Sequence, residues 1–276
     1  MKSTGLILAL FLGIVLKGFS QNNELDLDKL VFESETEKTI WKTNPSDPFQ
    51  YFTALDANSL LEDNKWVNLV KELDGKASKN PDELSLVRSI FQKSHQRLFK
   101  KYEQHSSFNT MLNEGKYDCV SGSAVLGILL ERFGFTYDII ETDYHVFIQV
   151  SIDGKPVILE STLPVGGMIS APSEVEKYLS SYLPTNDDAP VNFNQWLAGP
   201  SLGTEENSIF RKVRLIELAG LQYYNDAIVH FNNQEFGQAV HQLSKAYLLY
   251  PSDRIEGLRE LSIDLAFKTY GYDLRK

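Results

Sequence analysis

The sequence predicts an α+β protein, a buried helix packed on an antiparallel sheet, with a helical extension at its C-terminal end. Three observations carry this. Cys119 to Phe133 (CVSGSAVLGILLERF) is apolar on nearly every side, with small residues early, the composition of a helix buried all round. Tyr144 to Ile152 (YHVFIQVSI) alternates with period two and is joined by Asp153-Gly154 to Lys155 to Thr162 (KPVILEST), which reads as a hairpin on a two-residue turn. From about Arg214 the chain reads as helices to its end.

The elements follow in chain order. Lys2 precedes an unbroken apolar run of twelve residues, Gly5 to Leu16, and the small residues Gly18 and Ser20 stand two apart. That is the pattern of a cleavable secretory signal peptide, with cleavage before Gln21; a membrane span needs about twenty apolar residues. Residues 21–55 are polar, acidic and Pro-containing and read as an irregular lead-in. Ser59 to Glu62 fits a capping box for a helix running to Leu73, with Gly75 just past its end. Asn80-Pro81 reads as a cap and first helical residue, and Leu84, Val87, Phe91, Leu98 and Tyr102 continue that helix to about Tyr102. After the buried helix, Gly134 supplies a left-handed cap, and a strand is expected over Phe135 to Glu141. Leu163 to Ile169 is a Gly/Pro loop, and a short helix is expected near Ser173 to Leu183. Ala227, Ala239, Ala246 and Pro251 stand at offsets of 12, 7 and 5, as in one tetratricopeptide repeat. A single repeat is no solenoid, so this region is expected to be an antiparallel helical pair meeting at about Asn232 to Gln234, packed on the main domain. The expected organisation is a signal peptide over 1–20, lead-in over 21–55, main domain over 56–203 and helical extension over 204–276.

The formal charge is −10, and removal of Lys2 and Lys17 takes the mature chain to −12. Such a surface argues against nucleic acid or anionic membrane as the main partner. Cys119 is the one cysteine, so no internal disulfide forms and the thiol is either a buried hydrophobe, an intermolecular link or a reactive group.

Cys119 follows Asp118 and opens the buried helix. With Asp118 as N-cap, Cys119 lies in the first turn, where the amides and the helix dipole favour a thiolate and can hold an oxyanion. A thiol nucleophile needs a base. His95, His105, His230 and His241 read as surface or packing residues; His145 stands at the start of the strand that follows. With Ile152 facing Lys155 across the turn, paired positions place His145 opposite Thr162 and Glu160 opposite Phe147. His145 and Glu160 therefore share a face as diagonal neighbours. The Cys119 helix is expected on that face, and Tyr144, Val146 and Ile148 are expected to meet other apolar groups. A carboxylate on one imidazole nitrogen leaves the other for the thiol. Glu160 also interrupts an apolar strand, where an unpaired carboxylate is costly.

A Cys opening a buried helix, a short strand, an HVF strand and a LEST-LP strand, in that order, resemble the transglutaminase-like superfamily within the papain-like fold. The resemblance spans about Leu86 to Pro164. It implies Cys119 as nucleophile, His145 as base and Glu160 as the acid that orients the imidazole. The chain departs from the family in having Glu where Asp is usual and Asp118 where Gly often adjoins the Cys. Papain-like enzymes place an amide donor shortly before the Cys, and Asn113, six residues upstream, is the nearest such residue; Asn is equally a turn residue.

The expected function is that of a secreted, periplasmic or extracellular cysteine protease, amidase or transglutaminase-like acyl-transferase acting on a peptide or protein through a thioester. A non-catalytic scaffold that keeps the fold, with the C-terminal helices presented to a protein partner, is the alternative. No Gly-x-Ser-x-Gly elbow, phosphate loop, calcium loop or His pair at ligand spacing occurs, so no metal or cofactor is implied.

Overall fold

The computed structural model describes residues 27, 30–43, 46–57, 64–182 and 209–275. The signal peptide and the Ser59 capping box lie outside the described residues. The helices among them are α1 (Glu35–Thr43), α2 (Pro48–Ala54), α3 (Asn64–Ala77), α4 (Glu83–Arg97), α5 (Phe108–Glu114), α6 (Cys119–Arg132), α7 (Pro172–Ser180), α8 (Leu215–Asn232), α9 (Phe236–Leu249) and α10 (Asp253–Tyr270). The strands are β1 (Lys101–Tyr102), β2 (Lys116–Tyr117), β3 (Tyr137–Thr142), β4 (Val146–Ile152), β5 (Lys155–Leu159), β6 (Met168–Ile169) and β7 (Phe210–Val213). β1 and β2 form a short parallel pair; the other five make an antiparallel sheet in the order β6-β5-β4-β3-β7. The protein is thus α+β.

The hairpin has the expected register. Ile152 pairs with Lys155 and the ladder runs to Ile148 opposite Leu159. Asp153 and Gly154 have φ of +48° and +73°, the two positive values of a type I′ turn, which suits the right-handed strand twist. Gly134 has φ +76°, and the Phe135 amide donates to the Leu130 carbonyl at 3.0 Å, the reverse turn that ends α6.

The two faces of the sheet are covered differently from expectation. Val146, Ile148, Val150 and Ile152 join α6 residues such as Val125 and Leu129 in the main core. Ile140, Phe147 and Ile158 form a second cluster with Val175, Tyr178 and Tyr182 from α7 and its end. The Cys119 helix therefore packs on the Val146 face, and α7 covers the face to which His145 and Glu160 belong by parity. The side of a two-sided apolar strand that takes each helix is set by chain connection, which alternation does not record.

The lead-in is not irregular. It holds α1 and α2, and Trp41, Tyr51 and Phe52 are buried in the main core. Asp47 caps α2 by accepting from the Phe49 amide at 3.0 Å, with Pro48 first in the helix. The Trp41 indole donates to Tyr223 at 2.9 Å, and the fully buried Lys245 ammonium sits 2.7 Å from Glu37. These pairs tie α1 to α8 and α9.

Three further boundaries move. α3 continues through Gly75 to Ala77. The cap of α4 is Asp82, whose carboxylate accepts from the Ser85 amide at 2.8 Å; Asn80 turns the chain at φ +52°. α4 stops at Arg97 because Lys101 and Tyr102 are taken up by pairing with Lys116 and Tyr117.

The C-terminal pair α8–α9 meets at residues 233–235, and Ala227, Ala239 and Ala246 are fully buried. A Cβ at Gly220 would lie 2.7 Å from Tyr250 Cβ, so the helix ends approach closely only with glycine there. β7, beyond the expected boundary at residue 203, hydrogen-bonds to β3, so the sheet includes a strand from the segment assigned to the extension. Among the described residues, no helix is long and apolar enough to cross a membrane.

Candidate active site

Short-range geometry sets Cys119 in place. Ser107 caps α5, and Gly115, at φ +79°, ends it. The β1–β2 bridge then delivers Asp118 to the N-cap of α6. Its Oδ1 accepts from the Ser121 amide at 2.7 Å and the Ser121 hydroxyl at 2.9 Å, while Ser121 Oγ accepts from the Asp118 amide at 2.9 Å. This reciprocal box satisfies amides of the first turn. Asn225 of α8 donates to the other carboxylate oxygen at 3.2 Å. Burial pushes the Asp118 carboxyl up to about 6, against the opposing pull of the Ser121 and Asn225 hydrogen bonds. Cys119 is the first helical residue, half-buried and free.

His145 immediately precedes β4, at the end of a tight connection from β3. The Thr142 amide donates to the His145 carbonyl at 2.8 Å, and the His145 amide donates to Thr142 Oγ1 at 3.1 Å. Glu160 immediately follows β5; its amide donates to the Gly167 carbonyl at 2.7 Å. A Cβ at Gly167 would stand 2.2 Å from the Leu163 oxygen and 2.4 Å from the Glu160 oxygen, so the Gly/Pro loop closes behind Glu160 only with glycine at 167.

The two side chains meet as the hairpin parity requires. His145 Nε2 lies 2.5 Å from Glu160 Oε2, with side-chain exposures of 3% and 1%. Glu160 Oε1 accepts from the Thr162 amide at 2.9 Å and the Thr162 hydroxyl at 2.6 Å, and the Tyr178 hydroxyl donates to Oε2. With Nε2 engaged by the carboxylate, His145 has its second ring nitrogen left, and it lines the same cavity as Cys119. Burial opposes charge on His145, but the Glu160 carboxylate and the Cys119 sulfur outweigh it, holding the imidazole well above its usual range. Burial likewise opposes charge on Glu160, and the imidazolium with the Thr162 and Tyr178 donors outweighs it, holding the carboxyl well below the usual range. The structure thus brings the Cys119, His145 and Glu160 side chains into one cluster.

Asn113 is not part of this group. It lies in α5, its carbonyl accepts from Lys65 at 2.6 Å, and it lines a separate cavity with Glu37, Asp56 and Glu114. The end of α5 and the β1–β2 bridge carry the chain away between Asn113 and Cys119, so six residues of sequence do not translate into a shared site.

Cys119 and His145 open into a cleft of about 500 Å³. One wall holds Tyr102, His105 and Asp143; the other is built by α8 and α10, including Tyr224, Asn225 and Arg254. Sequence reasoning placed His105 on the surface or in packing and did not identify the α8–α10 wall. It also missed Tyr178, whose only local signal was its i,i+4 spacing from Tyr182. His95 is a packing residue, between Phe91 and Phe99.

Glu33, Asp226 and His230 gather with possible ligand atoms within 4.8 Å of one another. Hydrogen bonding to Asp226 raises the His230 imidazole, burial opposes this, and Glu235 at 2.6 Å adds to the rise, bringing it to about 9. Comparison of the chain with protein families, curated proteins and solved structures found no match.

Proposed function

We propose that the chain is an exported cysteine-dependent acyl-transfer enzyme of transglutaminase-like type on a papain-like core, acting on an amide or peptide bond. The observation that supports it is His145, buried between the Glu160 carboxylate and the half-buried Cys119 sulfur at the start of α6. A charged imidazole beside a sulfur favours the thiolate nucleophile.

In this reading the thiolate attacks the substrate carbonyl carbon, and the oxyanion is held by the Cys119 amide at the positive end of α6. His145 passes its proton to the leaving amine, and the C–N bond breaks to give a thioester on Cys119. Water or a second amine then attacks the thioester; His145 takes that proton, and the sulfur leaves. Glu160 keeps the imidazole oriented and offsets its charge without receiving a proton.

The test is alkylation of Cys119 by iodoacetamide at pH 6, against a free-thiol control. The wild-type chain is expected to react faster than the control, His145→Ala to lose that advantage, and Glu160→Gln to weaken it. A thiol that is inert in the folded chain and only ordinary in mild denaturant ends the enzyme reading. Export is checked separately by intact mass, with residues 1–20 expected to be missing. A scaffold reading draws on the exposed aromatic residues Phe267, Tyr270 and Tyr272 at the C-terminal end, which offer a surface for a protein partner.

A further inference from the structure

The cleft beside Cys119 holds a guanidinium with more charge than its protein partner neutralises. Glu141, fully buried in β3, accepts from Arg211 Nε at 2.8 Å, from the Tyr250 hydroxyl and from Arg254. Two guanidinium groups thus share one carboxylate, which leaves one positive charge in excess. Arg211 stands over the Tyr250 ring at the edge of the sheet, whereas Arg254 lines the cleft, its guanidinium 5.0 Å from the Tyr224 ring centre.

Arg254 is under-used by the protein. Its Nη2 is bonded to Glu141 and its Nε is buried without a partner. A buried donor without an acceptor is costly, and a planar guanidinium is suited to carboxylates. The other carboxylates of the cleft, Asp118 and Asp143, bond neutral donors and not Arg254. Asp118 is held by Ser121 and Asn225, and Asp143 accepts from the Ile209 amide at 2.6 Å. Among the described residues that line the cleft, His145 is the other group biased towards its charged form, and burial biases His105 towards its neutral form. In a chain of net charge −10, a guanidinium that shares its one carboxylate with a second guanidinium, in a cavity with the nucleophile, has a chemical counterpart in an anionic ligand.

We propose that Arg254 binds a carboxylate of the substrate, so that the acyl donor of this site carries an acidic group close to the bond that Cys119 attacks. The inference rests on the thiol reading and names its substrate class. Arg254 and Cys119 line one cavity of about 500 Å³, a volume that suits a small ligand, so a carboxylate on Arg254 and a carbonyl at Cys119 belong to one small peptide-like ligand. Arg254 comes from α10 and Tyr224 from α8, which makes the C-terminal helices a specificity wall.

The test compares two alkylating probes of nearly equal size on the full chain, anionic iodoacetate and neutral iodoacetamide, both directed at Cys119. The readout is the ratio of the two rates, which cancels changes in thiol reactivity common to both probes. His145 also attracts iodoacetate, so the difference between chains is decisive. Arg254→Gln is expected to lower the iodoacetate preference about fivefold, the order of effect of one charge within a shared, partly solvated cavity, and Arg254→Lys to retain most of it. Glu141→Gln, which removes the shared anion, is expected to raise the preference, so a variant of opposite sign remains if Arg254→Gln does not fold. Ratios unchanged in both Arg254→Gln and Glu141→Gln, or unchanged in Glu141→Gln where Arg254→Gln does not fold, overturn the role of Arg254, even with Cys119 fully reactive. Inertness of Cys119 to both probes overturns the thiol reading, and this inference with it.

Discussion

Replacing Glu160 by Gln keeps the size of the side chain and removes its charge. The carboxylate takes four hydrogen bonds, two from Thr162 on Oε1 and one each from His145 and Tyr178 on Oε2. An amide oxygen in place of Oε1 still serves Thr162, but an amide NH2 in place of Oε2 faces two donors. Breaking a buried ion pair from one side costs about 3–5 kcal/mol. Here a neutral imidazole can accept from the new amide, so about 3 kcal/mol is expected. The loss depends on pH. The folded His145 is raised, so its contribution is complete below about pH 6.5, the unfolded value, and is lost as pH rises through the folded value. The folded Glu160 is lowered, so its contribution is present above about pH 4.3 and is lost as pH falls through the folded value. The difference between wild type and Glu160→Gln should therefore be greatest at about pH 5–6 and shrink towards pH 8 and towards pH 3. Urea denaturation across that range measures it. A difference below about 1 kcal/mol that stays flat from pH 5 to pH 8 refutes the charged-pair reasoning.

Three further perturbations test other parts of the structure. Asp118 is raised to about 6 by burial, so wild-type stability should fall as pH rises from about 4 to 6, where the unfolded carboxyl ionises and the folded one resists. Asp118→Asn should remove about 2 kcal/mol of that fall in urea titrations at pH 4 and pH 7. Gly167→Ala puts a Cβ into two backbone oxygens; it should cost about 3 kcal/mol in the same assay, with slower alkylation of Cys119 as the loop behind Glu160 opens. Lys245→Met strands the buried Glu37 carboxylate, with an expected loss of about 3–5 kcal/mol. Adding Glu37→Gln should recover part of it, and no recovery would show that packing, not charge, carries the effect.

Much of the site was legible because it is built from short-range rules. Asp118 caps α6, Gly134 ends it, and Asp153-Gly154 sets a register in which parity brings His145 to Glu160. Each rule acts over a few residues, where backbone sterics and side-chain period leave a mark in the sequence. The small residues at 227, 239 and 246 were legible for the same reason, since close helix approach demands them.

The rest depends on pairings between distant segments, which leave no period within either one. The helical lead-in is held by Trp41 on Tyr223 and Glu37 on Lys245, about two hundred positions apart, so its polar composition alone read as irregular. Asn113 is six residues from Cys119 yet lines another cavity, while Arg254, far along the chain, lines the same cleft. The sequence by itself determined the local turns, caps and hairpin register that place Cys119, His145 and Glu160 on neighbouring element ends. Only the tertiary structure decided which helix covers each sheet face and which remote side chains wall the cleft, because burial rewards any apolar face alike and only the packed chain selects its partner.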